Sequence, residues 1–290
     1  MIAFDHDETL EEARRRNVRD ALFEDVGRCD WTAQLVPPDS LVTAQVVCRD
    51  RAVLCGREWF DAVMNEVDPG ILTEWLIDEG AWTSPGAPVV RMRGSARSLL
   101  TAERPALNFI QLLSATATET RRHAEALAGA SPLPQGCAIL DTRKTLPGLR
   151  LAQKYAVRVG GGCNQRLALY DGILIKENHI AAAGGVRQAL NRARALGSGV
   201  DIQIEVETLE QLREALEAGA ASVLLDNFTL EAMRQAVAIN AGRALLEVSG
   251  SVQLAQLREI AATGVNRISS GHLTKDVQAV DYSMRVLQAL

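Results

Sequence analysis

The chain has 290 residues, 47% of them hydrophobic and 23% charged, which excludes disordered, collagen-like and low-complexity classes. The 31 Lys and Arg against 36 Asp and Glu give a net charge of -5, a poor balance for nucleic-acid binding. No apolar run reaches 18 residues and the acidic, then basic start lacks the apolar stretch of a secretory signal, so neither a membrane span nor export is expected. Five cysteines (29, 48, 55, 137, 163) include no C-x-x-C pair and read as buried or free thiols of a reducing compartment, the cytoplasm.

Residues 21–26 read as part of a short helix ending at Gly27. Leu41–Cys55 reads as two strands about an Arg49-Asp50-Arg51 turn. Trp59, Phe60, Val63, Met64 and Val67 fall at helical spacing and predict a helix over 57–67, stopped at Asp68-Pro69-Gly70. Strands follow at 71–77 and 88–92, then a long helix from about Pro105 to Leu127, closed by Gly129, Ser131, Pro132 and Pro134.

From residue 136 one pattern repeats: a short apolar run ending in a polar residue, a loop, then an amphipathic helix. The runs are CAILD, GILIK, DIQIEVE, SVLLD, ALLEVS and NRIS, and helices are expected over 185–196, 209–218, 230–239 and 252–262. Such alternation predicts a parallel sheet, either doubly wound or a barrel. The barrel is favoured, because it gathers all the strand ends at one mouth. Val277–Leu290 reads as a last helix packing back on the first domain.

That mouth would collect Arg143, Lys144, Arg166, Lys176, Glu205 and Asp226, with small residues at Ser249-Gly250-Ser251 and Ser270-Gly271. Six charges at strand ends suit a polar ligand better than a closed ring of salt bridges. Arginines match carboxylates, lysines match phosphate, and the two carboxylates suit Mg²⁺ or a developing positive centre. Backbone N–H groups at the two glycines suit a phosphate. Gly160-Gly161-Gly162 is not a dinucleotide fingerprint; it lets a loop approach a ligand and bring Asn164 and Arg166 inward. His6 and His123 read as incidental, His179 as a loop organiser, and His272 as a candidate ligand contact.

Seven stretches carry a family resemblance: ERPALNFIQLLS (103–114), DTRKTLPGLR (141–150), KYAVRVGGGCNQRLALYDGILIKENHI (154–180), then IEVET, LLDN, LEVSG and GHLT in order. They resemble quinolinate phosphoribosyltransferase, the carboxylating nicotinate-nucleotide pyrophosphorylase of NAD synthesis (EC 2.4.2.19). The likeness runs from about Val18 to the end.

The resemblance implies an α/β chain in two domains: an N-terminal α+β sandwich over 1–115, rejoined by 277–290, and an open, incomplete α/β barrel over 116–276. It implies a homodimer that joins quinolinate to 5-phosphoribosyl 1-pyrophosphate (PRPP), yielding nicotinate mononucleotide, pyrophosphate and CO₂ with Mg²⁺. By the same resemblance, Arg143, Gln165, Arg166 and Lys176 hold quinolinate, and Lys144 and Lys176 face PRPP. Glu205 and Asp226 lie by the ribose and its metal. Ser249, Gly250, Ser270 and Gly271 take the 5′-phosphate, and Arg104 reaches the neighbouring subunit's site.

Two departures from the family pattern stand out. Gln165 replaces the usual His of G-G-G-x-N-H-R, and His272 replaces a small residue in G-A-L-T. Gln165 keeps a nicotinate-type transferase, which releases no CO₂, as an alternative. A non-catalytic sensor is another, opposed by the presence of Lys144, Lys176, Glu205 and Asp226.

Overall fold

The computed structural model describes residues 6–250 and 252–289. They divide into two compact units: the residues up to Glu119 with Leu146–Gly160 and the segment from Asp276, and Thr120–Thr145 with Gly161–Lys275.

The first unit holds a four-stranded antiparallel sheet in the order β10-β1-β3-β2, built from β1 (Leu41–Cys48), β2 (Leu72–Trp75), β3 (Pro88–Ser95) and β10 (Tyr282–Ala289). β1 alternates strictly, burying Val42, Ala44, Val46 and Cys48, the signature of a sheet with one packed face. Against the sheet's apolar side lie α1 (Leu10–Val26), α2 (Arg57–Val67), the part of the long α3 (Ala96–Leu127) up to Glu119, and α4 (Arg150–Val159). Trp59 and Phe60 of α2, with Leu99, Leu107, Ile110 and Leu113 of α3, are almost wholly buried at the centre of this core.

Four expectations change here. α1 starts at Leu10 because Thr9 and Glu12 form a reciprocal cap: Thr9 Oγ1 accepts from the Glu12 N–H, and the Glu12 carboxylate accepts from the Thr9 N–H. Residues 52–55 do not form a second strand. Only Val53 bridges, to Trp82, and three of the four N–H groups instead donate to the hydroxyls of Thr83, Thr118 and Ser114. α3 starts at Ala96, so Pro105 lies inside the helix rather than in its first turn.

The C-terminal segment does return to the first unit, but as strand β10 and not as a helix. Val277, Val280, Met284 and Leu287 mimic helical spacing, whereas Tyr282, Met284 and Val286 alternate. The open edge of β1 decides between the two periods, because it has a full ladder to offer. Tyr282 is buried, with its hydroxyl 3.0 Å from Ser114 Oγ.

The second unit is a six-stranded parallel sheet: β4 (Ala138–Leu140), β5 (Gly172–Ile175), β6 (Asp201–Val206), β7 (Ser222–Asp226), β8 (Leu245–Ser249) and β9 (Arg267–Ser269). All six expected strands are present. Their order, β4-β9-β8-β7-β6-β5, is the sequence order wrapped round, with β4 beside the last strand. A doubly wound sheet reverses direction at a switch point; this one never does. No ladder joins β4 to β5 among the described residues, so the ring is open there, and Cys163 makes a single parallel bridge to the free side of Leu140. The intervening helices are α5 (Glu177–Ala183), α6 (Val186–Ala195), α7 (Leu209–Glu217), α8 (Leu230–Asn240) and α9 (Leu257–Ala261), with the short α10 (His272–Lys275) after β9. The helix expected over 252–262 is a 3₁₀ turn at Leu254–Gln256 followed by α9.

Candidate active site

The register of the parallel sheet sorts its side chains into two sets, because successive residues point to opposite faces. Ile175, Ile204, Val223, Leu225, Val248 and Ile268 share one face, which is entirely aliphatic. The other face carries Gln203 and Glu205 of β6, Ser222 and Asp226 of β7, Glu247 and Ser249 of β8, and Ser269 of β9. A sheet packed on both sides by helices alone would be apolar on both faces. The polar face therefore marks where the chemistry lies.

At its C-terminal edge Lys176, just beyond β5, reaches Glu205 on the adjacent strand: Nζ stands 3.7 Å from Oε2. Burial raises the Glu205 pKa above the usual carboxylate value. The Lys176 ammonium opposes that shift, and the Asp226 and Glu177 charges add to it. Two carboxylates and an ammonium thus share one edge. Lys176 also begins α5, where its backbone N–H donates to His179 Nδ1 at 3.0 Å, so His179 does organise this loop.

The second cationic group comes from the glycine-rich segment. Gly161 has φ +91°, which a side chain would strain, and the chain then turns back along β4. The fully buried Asp141 holds it there, its carboxylate accepting from the Gln165 N–H at 2.9 Å and from the Asn164 amide at 2.6 Å. Arg166 follows, its Nη1 donating to the Gly172 carbonyl at 3.1 Å. Burial and then the nearby Arg143 charge push the Arg166 pKa below its ordinary value. Two guanidiniums close enough to repel each other suit a ligand with more than one negative group.

Lys144 is exposed, and its aliphatic stem lies along Gly271: a Cβ there would sit 3.1 Å from Lys144 Cδ. Thr274 Oγ1 donates to the Lys144 carbonyl at 2.8 Å, tying the β4 and β9 loops together. Ser270 is buried and its Oγ accepts from the His272 N–H at 3.3 Å, so this hydroxyl shapes the turn into α10. His272, half-buried, is the first residue of that helix. After β8, Gly250 has φ +140°, and a Cβ on it would stand 2.9 Å from Asn227 Oδ1. Asn227, itself at φ +55°, donates its amide to Asp226 Oδ2 at 2.9 Å. Asp226 and Ser249 are register partners.

Arg143, Lys144, Gln165, Arg166, Lys176, Glu205, Asp226, Ser249, Gly250, Ser270, Gly271 and His272 all belong to the second unit, on its sheet or on the loops joining its elements. Arg104 is an exposed residue of α3 in the first unit. Ser251 lies outside the described residues. Sequence reasoning passed over Asn227, Gln203 and Glu247. The signal for the last two was available: each stands two residues before a candidate, on the same face of a strand.

A wrapped parallel sheet with lysines, arginines and paired carboxylates at its strand ends is an α/β architecture whose polar edge suits a substrate with several anionic groups. Two family models match the chain, the quinolinate phosphoribosyl transferase N-terminal domain over residues 30–114 and its C-terminal domain over 116–285. The chain belongs to the quinolinate phosphoribosyltransferase family. The nicotinate-nucleotide pyrophosphorylase [carboxylating] of Mycobacterium leprae is 40% identical over 280 residues, covering 94% of this chain and 97% of that protein. The probable enzyme of the same name from Bacillus subtilis is 39% identical over 91% and 90% of the two chains. The nicotinate-nucleotide pyrophosphorylase structure from Francisella tularensis superposes with a TM-score of 0.91 at 41% identity, over 97% of this chain and all of that one. Human nicotinic acid phosphoribosyltransferase, at 15% identity and a TM-score of 0.63, shares the fold alone.

Proposed function

We propose how the strand-end residues of this chain divide the family's reaction among them. The enzyme is a pentosyltransferase of NAD biosynthesis. It transfers phosphoribosyl from PRPP to quinolinate and gives nicotinate mononucleotide, pyrophosphate and CO₂. Arg143, Arg166 and Gln165 hold the two quinolinate carboxylates. Lys176 stands between the substrates, and Lys144 faces the pyrophosphate of PRPP. Glu205 and Asp226 lie along the ribose. The backbone at Ser249-Gly250 and Ser270-Gly271 takes the 5′-phosphate, with His272 beside it.

The chemistry follows from charge. The pyridine nitrogen attacks the anomeric carbon as pyrophosphate leaves, and the ribose passes through a state with oxocarbenium character. Carboxylates already in place stabilise that charge without reorganising. The first step needs no proton-transfer base, because the nucleophile is a neutral ring nitrogen; orientation supplies much of the rate. The product ring is cationic at the nitrogen beside the 2-carboxylate. That charge stabilises the carbanion left as CO₂ departs, and the carbanion then takes a proton.

Glu205 and Asp226 form an all-oxygen donor set suited to Mg²⁺, which keeps waters and takes further ligands from substrate phosphates. No cluster of three acidic, His or Cys ligands exists among the described residues. When bound, Mg²⁺ neutralises charge on the departing pyrophosphate. A homodimer places Arg104 in the neighbouring subunit's site, in keeping with its exposure on α3. No described helix is long and apolar enough to cross a membrane, and five free thiols fit a cytoplasmic location.

The paired guanidiniums carry this reading, since a monocarboxylate leaves one of them unmatched. Purified protein with PRPP, Mg²⁺ and either quinolinate or nicotinate tests it. Nicotinate mononucleotide and CO₂ in equal amounts from quinolinate alone is the expected result. Product from nicotinate without CO₂ overturns the dicarboxylate assignment, and binding without turnover overturns catalysis.

A further inference from the structure

Behind the mouth, on the same polar face, three side chains form a hydrogen-bonded chain. Gln165 Nε2 donates to Gln203 Oε1 at 2.8 Å. Gln203 Nε2 donates to Glu247 Oε2 at 3.0 Å and to Ser222 Oγ at 3.1 Å. Gln203 is 7% exposed and Glu247 is 1% exposed, so both lie beneath the surface at which substrates arrive. Glu247 Oε1 makes no hydrogen bond to protein.

The chain has a direction, and Glu247 sets it. Glu247 Oε2 is the acceptor at the inner end, taking the hydrogen bond from Gln203 Nε2. With its nitrogen turned to Glu247, Gln203 presents its oxygen to residue 165. Only a donor satisfies that oxygen, so the Gln165 amide is fixed with its nitrogen toward Gln203.

We infer that Glu247, acting through Gln203, is a positioning residue that fixes the orientation of the Gln165 side chain for quinolinate. The inference rests on the reading of Gln165 as a quinolinate contact. A neutral glutamine at this place has a long, rotatable side chain, which the chain of amides holds in one pose before substrate arrives. Glu247→Gln removes the obligate acceptor: either end of the new amide can face Gln203, and the polarity of the chain is no longer imposed.

The test is a double-mutant cycle on the full-length enzyme, measuring KM for quinolinate, KM for PRPP, kcat and the unfolding temperature. Gln165→Ala alone should raise KM for quinolinate. Glu247→Gln should raise it about three- to tenfold, the worth of immobilising one such side chain. It should leave kcat and KM for PRPP within about twofold, and have no further effect on KM for quinolinate once Gln165 is Ala. Gln203→Met, which keeps volume and removes both polar ends, should behave alike and serves if Glu247→Gln does not fold. If Gln165→Ala raises KM for quinolinate but neither inner variant does, positioning is overturned and the role of Gln165 stands. If Gln165→Ala itself changes nothing, the contact reading fails and the inference with it. Equal losses in both backgrounds, spread over both substrates, would mean a purely structural role.

Discussion

Glu205→Gln should make the protein more stable and far less active. The gross attraction between Lys176 and Glu205, at 3.7 Å, is ~4.5 kcal/mol at an effective dielectric of about 20. Half of the Lys176 side chain is exposed, so solvent screening reduces that contribution to about 1 kcal/mol or less. Burial of Glu205, whose side chain is 11% exposed, and repulsion from Asp226 and Glu177 act against it and prevail, since the Glu205 pKa is raised. A carboxylate with a raised folded pKa binds its proton more tightly in the native state than in the unfolded one. Its ionisation therefore costs stability as pH rises from the unfolded value through the raised one, and that cost is absent below both. Removing the charge should raise the unfolding temperature by about 2–4 °C at pH 7, for a gain of about 1 kcal/mol. The gain should shrink toward zero near pH 4, where the wild-type residue is itself protonated. Meanwhile kcat should fall by about 10²–10³, the usual loss when a preorganised electrostatic partner is removed. Thermal unfolding followed from pH 4 to pH 8, beside steady-state rates, checks both. An unfolding temperature that drops at pH 7 would show that the Lys176 pair outweighs burial and refute the reasoning.

Gly250→Ala combines a φ of +140° with a Cβ 2.9 Å from Asn227 Oδ1, so about 1–3 kcal/mol of stability should go, with KM for PRPP rising as Asn227 and Asp226 shift. An unfolding temperature equal to wild type would contradict this. Gly271→Ala has no such backbone strain but presses on the Lys144 stem at 3.1 Å. Stability should hold while kcat/KM for PRPP drops about tenfold, the effect of a small misplacement of a binding group. His272→Ala should raise KM for PRPP, and unchanged Michaelis constants for both substrates would remove His272 from the site. Gln165→His should be accepted, because an imidazole N–H can replace the amide donor to Gln203 Oε1. Loss of quinolinate binding in that variant would count against the hydrogen-bond direction described above.

The parallel unit was readable because each strand ends where its apolar run meets a polar residue. The wrapped order then brings those ends to one edge, as with Lys176 beside Glu205. Elements that depend on a distant partner were not readable. Residues 280–289 satisfy helical and strand periods alike, and only the open edge of β1 separates them. Ala52–Cys55 has strand composition, but its N–H groups find hydroxyls on Thr83, Ser114 and Thr118, up to 65 residues away. Within the site, the residues that end strands announce themselves, while those that orient them do not. Asp141 closes the CAILD run, yet its hold on Asn164 and Gln165 appears only in three dimensions.

The neutral residue at position 165 is consistent with the charge around it. Burial and then the nearby Arg143 charge already depress the pKa of Arg166, so a third cation beside them would be repelled by both. An imidazole there would be pushed toward its neutral form, would titrate below its ordinary value of about 6.5, and would make quinolinate binding fall as pH rises through that range. Glutamine carries two N–H donors on one nitrogen, so with one given to Gln203 the other can serve a carboxylate at a strength that does not change with pH. The chain should therefore bind quinolinate with little variation between pH 5.5 and 8, its activity failing on the acid side as Glu205 protonates. Gln165→His should restore an inflection near or below pH 6.5. On the proposed reading, glutamine at 165 trades a titrating contact for a constant one, held from beneath by the hydrogen bond from Gln203 to Glu247.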